Sequence, residues 1–262
     1  MLAGGSRSRV LALCGLAVAA LVAVAAAAPL PFSVAQPGLT ADVLGRYRGE
    51  KVITVSGAET SRPEGELLMT TIAATGPDAS IHLGDVLRGW FATDRAVMPR
   101  DSVYPVGDTP REIREHGTAQ MRKSQTAAVT AALRELGVPR GDVDVDLRLE
   151  DVGGPSAGLL FTLGVIAELE DDPRALTGGR TIAGTGTIDA AGNVGPVGGV
   201  PLKTRAAARD GATVFLVPRA ECADARTDLP DGLRLVPVTD LDGALSALEA
   251  LSEGGSVPAC PA

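Results

Sequence analysis

Residues 142–169 read DVDVDLRLEDVGGPSAGLLFTLGVIAEL. The first eight alternate strictly. Val143, Val145, Leu147 and Leu149 point one way, and Asp142, Asp144, Asp146 and Arg148 the other, which predicts a strand with one wet face. Residues 151–156 (DVGGPS) form a glycine-rich turn. Residues 156–169 (SAGLLFTLGVIAEL) hold few polar side chains, so they predict a helix buried nearly all round. A half-buried strand, a sharp turn and a core helix in succession require further sheet and helix layers around them.

Those layers are legible on both sides. Upstream, residues 51–56 (KVITVS) and 66–74 (ELLMTTIAA) read as strands rich in β-branched residues, with a turn at 61–65 between them. Residues 81–110 mix Trp90, Phe91 and several prolines, and no periodicity assigns them; Trp90 and Phe91 are expected in a core or at its rim. Asp108-Thr109-Pro110 is a helix start, and the pattern continues to Leu136 with Gly137 as its stop. Met121, Val129, Ala132, Leu133 and Leu136 form the expected buried stripe, and Gly117 is a potential break or kink. Downstream, 173–179 is a loop, 180–188 is strand-like and 190–192 is a turn. A short helix spans 202–210, strands span 213–218 and 233–238, and an amphipathic helix spans 241–251. This order predicts an α+β domain with a mixed β-sheet and packed helices. No linker interrupts 43–251. The expected division is 1–9 cytoplasmic, 10–30 an anchor or signal segment, 41–140 the N-terminal part of the domain, 141–251 its core and 252–262 a tail.

The 262 residues are 45% hydrophobic but only 3% aromatic, so Leu, Val, Ile and Ala must build the core. A net charge of -8 argues against a nucleic-acid partner, which needs a basic face. Cys14, Cys222 and Cys260 lack the close spacing of a zinc site, and the only histidines are His82 and His116, both expected to be structural or exposed. No metal or other cofactor is expected. Arg7 and Arg9 precede an uncharged run from 10 to 39 that is strongly apolar to about residue 28. An apolar run of about 20 residues crosses a ~30 Å hydrocarbon core as a helix. The flanking arginines favour a cytoplasmic N-terminus, which puts everything after Pro29 outside. The alternative is a signal peptide cleaved among the small residues 24–28, leaving a secreted protein. Either way Cys222 and Cys260 face an oxidising compartment, as a disulfide or as two thiols.

Two segments carry candidate chemistry. Ser156 sits where a strand passes through a Gly/Pro turn into a helix, near N–H groups that lack intrahelical acceptors. Those groups suit an oxyanion, with Gly154 and Ala157 flanking the serine as candidate supports. Taken alone, a serine there reads first as an N-cap. The second segment is residues 195–204, GPVGGVPLKT. A phosphate loop needs glycine directly before its lysine, and Leu202 stands before Lys203. Alone, Lys203 is a solvated lysine at a helix start. Glu150 and Asp151 read either as substrate contacts or as loop charges.

Taken together, GPSAG, the TGTI at 185–188 that contains Thr185, and GPVGGVPLK resemble the proteolytic domain of Lon proteases over most of 51–251. The resemblance implies that fold. It also implies a serine endopeptidase in which Ser156 is the nucleophile, Lys203 its base and Thr185 the support of the lysine. The runs MRKSQTAA, GGPSAGLLFTLG and IAGTGTID look closest to bacterial membrane-anchored Lon-like proteases that usually carry a PDZ domain. Here the helix ending at Gly137 passes straight to the Asp142 strand, where that PDZ module is expected, and Gly153 stands where Lon proteases carry an acidic residue. No ATPase module is expected, so the activity is expected to be ATP-independent, on protein or peptide substrates, with a homo-oligomeric ring implied by resemblance alone. The alternative is a membrane-anchored scaffold that keeps the fold without turnover.

Overall fold

A computed structural model describes residues 4–107, 109–139, 141–149, 152–172 and 176–261. Asp108, Glu150, Asp151 and part of the loop at 173–179 lie outside the described residues. The chain opens with helix α1 (Gly4–Ala27) and the long strand β1 (Phe32–Asp42). A small ribbon of β2 (Arg46–Tyr47) and β3 (Glu50–Lys51) precedes β4 (Ile53–Ser56) and β5 (Glu66–Ala74). Then come α2 (Leu83–Phe91), β6 (Ala96–Pro99), the single turn α3 (Arg100–Val103) and the long helix α4 (Pro110–Glu135). The segment quoted first becomes β7 (Asp144–Leu147) and α5 (Gly158–Leu169). It is followed by β8 (Thr181–Gly184), β9 (Thr187–Ile188), β10 (Val194–Gly195) and α6 (Val200–Arg209). β11 (Val214–Pro218), α7 (Cys222–Ala225), β12 (Arg234–Val238) and α8 (Leu241–Ser252) complete the chain.

The chain divides into two compact units, 1–36 with 74–106 and 37–73 with 107–262. In the larger unit the sheet runs β12-β11-β8-β5-β1. β12, β11, β8 and β5 are mutually parallel, with Leu216 opposite Gly184 and Met69 opposite the same glycine. β4 and β7 form a separate antiparallel pair, Ile53 opposite Leu147. Along β7 the alternation holds, the aspartates exposed and Val145 and Leu147 half-buried. The main core gathers around α5, whose residues from Gly158 to Glu168 are all buried. The structure is thus α+β with a mixed sheet and packed helices, as the sequence predicts.

In the smaller unit the start of β1 pairs antiparallel with β6, Phe32 opposite Pro99 and Ala35 opposite Ala96. This unit carries α1, in which Arg7–Ala27 has a mean hydropathy of 2.7 and is the one helix among the described residues long and apolar enough to cross a membrane. Its apolar side chains are exposed on every side, which separates it from a buried core helix.

Several expectations change. Trp90 and Phe91 are neither core nor rim; they are 75% and 85% exposed on α2. Gly117 does not break α4, which continues through it to Glu135. The buried strip of α4 leans on small residues, Ser124, Ala128 and Ala131, beside Met121, Ala132 and Leu133, while Val129 and Leu136 are half-buried. Small side chains there let the fully apolar α5 come close. The α4 cap is Thr109, whose hydroxyl accepts from the Glu112 N–H at 3.2 Å in a capping box. The strand-like run 180–188 is two strands, interrupted at Thr185-Gly186.

Cys222 and Cys260 form a disulfide across 38 residues, which ties the C-terminal tail to α7. Closing a loop of that length restricts the unfolded chain and contributes about 3–4 kcal/mol on the chain-entropy account. A thiol reductant should therefore lower the urea midpoint, and Cys260→Ser should lower it equally without reductant. An unchanged midpoint in both would contradict this role.

Candidate active site

The turn ahead of α5 is held by main-chain and side-chain hydrogen bonds from three directions. The Gly154 N–H donates to the Gly117 carbonyl at 3.3 Å. Ser124 Oγ donates to the Pro155 carbonyl at 3.0 Å. The Gly186 N–H donates to the Ser156 carbonyl at 3.0 Å, and the Leu159 N–H returns a bond to the Gly186 carbonyl at 3.1 Å. Gly154 has φ +90°, a conformation glycine adopts without the steric cost of a side chain. Ser156 is not the N-cap. That position is Ala157, in a helical conformation and with no side-chain cap, and α5 begins at Gly158. Ser156 thus sits one residue ahead of the cap, half-buried, with its main chain pinned and its hydroxyl making no hydrogen bond among the described residues.

Lys203 lies in the first turns of α6, its N–H donating to the Gly199 carbonyl at 3.1 Å. The helix starts at Val200, earlier than the sequence suggests, with Pro201 in its first turn. Gly199 is its cap and has φ +70°; a Cβ there would lie 2.8 Å from Ile72 Cγ2. The position therefore needs glycine both for its backbone angle and for close approach to β5. Only 3% of Lys203 is exposed. Its Nζ donates to Thr185 Oγ1 at 3.0 Å. The Thr185 hydroxyl in turn donates to the Ser156 carbonyl at 3.2 Å. Thr185 itself is fully buried, and its N–H donates to the Leu216 carbonyl in β11 at 3.0 Å. The break between β8 and β9 is what turns this threonine toward both partners.

The structure therefore brings Ser156, Thr185 and Lys203 into one connected cluster, with Ala157 and Gly154 on either side of the serine. Burial pulls the Lys203 ammonium down from 10.5 to about 8, and the nearby Glu221 carboxylate opposes that pull. Glu221 is raised from the ordinary carboxylate range, first by its own burial and then by Asp224; the Val197 N–H and Lys203 lower it in part. Sequence reading passes over Glu221. It lies in a 3-10 turn (Arg219–Glu221) after β11, and only the parallel β8–β11 pairing brings that end of the chain near α6. His116 pairs with Gln120 on α4 at 2.8 Å, and His82 caps α2. No cluster of three or more metal-ligating side chains occurs among the described residues.

A family profile described as the Lon protease (S16) C-terminal proteolytic domain matches residues 136–250, which hold Ser156, Thr185 and Lys203. Lon protease 1 of Myxococcus xanthus is 38% identical over 64% of this chain and 21% of its own length. Lon protease of Roseiflexus castenholzii is 31% identical over 79% of the chain and 23% of its own. Lon protease 2 of Bacillus subtilis is 28% identical over 55% of the chain and 25% of its own. The chain thus spans a quarter or less of the length of these relatives. Together with the mixed α+β fold and the cluster around Thr185, this match identifies residues 136–250 as a Lon protease proteolytic domain.

Proposed function

We propose that the protein is an ATP-independent serine endopeptidase that works through a Ser156–Lys203 dyad on the extracytoplasmic side of a membrane, anchored there by α1. The observation that carries this reading is the buried Lys203 amine bonded to Thr185 Oγ1, whose own proton is committed to the Ser156 carbonyl.

A serine hydroxyl needs a base, and a lysine serves only when neutral. Burial brings Lys203 near that condition at about pH 8. Thr185 takes one N–H of the amine and leaves its lone pair for the serine. Ser156 Oγ then adds to a peptide carbonyl while its proton passes to Nζ. The resulting oxyanion is stabilised by N–H groups at the start of α5, with Ala157 the candidate donor. Gly154 supports the turn that presents them, since its own N–H is engaged by Gly117. Collapse of the adduct breaks the C–N bond, the leaving amine takes the proton from Nζ, and an ester remains on Ser156. Water activated by the again-neutral Lys203 hydrolyses that ester and restores the serine.

Three observations support the placement outside. α1 is apolar and exposed on every side. Arg7 and Arg9 precede its apolar stretch, which favours a cytoplasmic N-terminus. The Cys222–Cys260 disulfide belongs to an oxidising compartment. ATP is not supplied there, and none of the steps above consumes it.

Ser156→Ala should lower hydrolysis of an unfolded protein substrate by about 10³-fold or more and abolish labelling by a serine-directed covalent probe. Full hydrolysis by both Ser156→Ala and Lys203→Ala would sink the dyad, and a wild type that neither cleaves nor labels would favour the scaffold. Comparing extracytoplasmic peptides by mass spectrometry, with and without Ser156→Ala, reads out specificity.

Because the neutral amine is the active form, kcat/KM should rise with pH through about 8. Glu221→Gln removes the charge that favours the ammonium, so this rise should move to lower pH; a shift to higher pH would contradict the assignment. The unfolded lysine holds its proton up to about 10.5 and the native one only to about 8. The contribution of Lys203 to stability is therefore least below about 8 and grows across that window. Lys203→Met should abolish activity yet raise stability at pH 7 by about 1–3 kcal/mol, measured by urea unfolding.

A further inference from the structure

In the smaller unit, α2 buries Val86 and Gly89, with Gly89 facing Val34 of β1 and Val97 of β6. Another side of the same helix is largely exposed among the described residues. Leu83, Leu87, Trp90 and Phe91 recur at i, i+4, i+7 and i+8 and share one stripe. They are 37%, 45%, 75% and 85% exposed. A helix of nine residues that shows four large apolar side chains to water is an interaction surface rather than scattered exposure. Its polar side is already satisfied, because Arg88 Nη2 donates to Asp85 Oδ1 at 2.9 Å and Asp85 Oδ2 accepts from the His82 N–H at 3.0 Å.

The position of this helix identifies the occupant. The Leu30 N–H donates to the Ile81 carbonyl at 2.7 Å. Leu30 is three residues past the end of α1, and Ile81 stands directly ahead of the α2 cap, His82. α2 therefore starts where the apolar helix ends, and α1 and α2 run close to one another. We propose that α2 is an interfacial helix whose Leu83, Leu87, Trp90 and Phe91 enter the boundary between headgroups and acyl chains of the bilayer that α1 spans. The proposal rests on the reading of α1 as an uncleaved anchor. Short amphipathic helices bind in this way, with the apolar stripe a few ångströms deep. A tryptophan suits that depth, since its ring is apolar and its N–H finds water or headgroups.

Trp90 is the only tryptophan, so its fluorescence reports on α2 alone. The full chain is reconstituted in phosphatidylcholine–phosphatidylglycerol vesicles containing lipids brominated near the headgroup or near the acyl-chain end, and alkaline carbonate extraction is run in parallel. Docking predicts a blue-shifted Trp90 emission that shallow bromines quench more than deep ones and that aqueous iodide barely quenches. Leu87→Ser with Phe91→Ser, both at exposed positions, should lose the blue shift and the bromine quenching while staying in the carbonate pellet. Retention in the pellet with Trp90 open to iodide and indifferent to bromine overturns the docking and leaves the anchor intact. Trp90 shielded from both quenchers, with dilution of the protein in the vesicles restoring iodide quenching, assigns the stripe to a second copy and also overturns it. Release by carbonate with bromine quenching before extraction supports docking and sinks the anchor; release without bromine quenching sinks both.

Discussion

The hydrogen bond from Lys203 Nζ to Thr185 Oγ1 is the constraint on which the larger unit turns. A lysine that is 3% exposed has lost nearly all of its water, and its ammonium falls from 10.5 to about 8. A displacement of that size corresponds to about 3 kcal/mol of preference for the neutral amine. That is a large fraction of what a marginally stable domain has in reserve. Exposed lysines on helix starts carry no such cost, so the burial calls for a use of the amine. The single oxygen that meets it also fixes the serine turn, because the Thr185 hydroxyl donates onward to the Ser156 carbonyl. The buried amine and the serine turn are thus referred to one residue, which is itself fully buried and tied to β11.

That arrangement explains features that look unrelated. α5 is buried nearly all round because its first turn must lie inside the domain if Ser156 is to meet Thr185. The small residues of α4 follow, since Ser124 has to reach the Pro155 carbonyl and Gly117 the Gly154 N–H. Gly199 follows too: only with a left-handed glycine pressed on Ile72 does α6 begin early enough to carry Lys203 inward. Each is a local departure from good helix or strand chemistry, set against a core able to tolerate it.

What the sequence revealed was local. The alternation of 142–149, the apolar run of 158–169 and the glycine turn between them are written in consecutive residues, and the structure realises them. The expected pairing of Ser156 with Lys203 rests on motif resemblance, because a spacing of 47 residues has no meaning until the parallel sheet folds the chain back. The break at Thr185-Gly186 was invisible, since both halves of 180–188 look like strand and only the tertiary demand on Thr185 divides them. A glycine within a helix signals weakness locally, whereas the partner of the Gly117 carbonyl is the Gly154 N–H, 37 residues away. Large apolar side chains such as Trp90 and Phe91 are expected in a core or at its rim, and only the burial pattern shows them exposed. Whether Cys222 and Cys260 pair depends on the path of the tail, which composition does not encode.

The path of the tail bears on the chemistry. Cys260 binds Cys222, the residue next to Glu221, and the Arg226 guanidinium holds the Pro261 carbonyl. Val257 packs against the main core and Cys260 against the cluster that contains Val200. The segment carrying the carboxylate that opposes the Lys203 shift is therefore clamped by the disulfide on its own C-terminal side. A carboxylate free to swing into solvent would be screened and would have little hold on the lysine. A clamped, partly desolvated one acts in a lower effective dielectric and tempers the fall of the lysine pKa. The basicity of Lys203 is thereby a balance between burial, which the core sets, and Glu221, which the disulfide helps to hold in place.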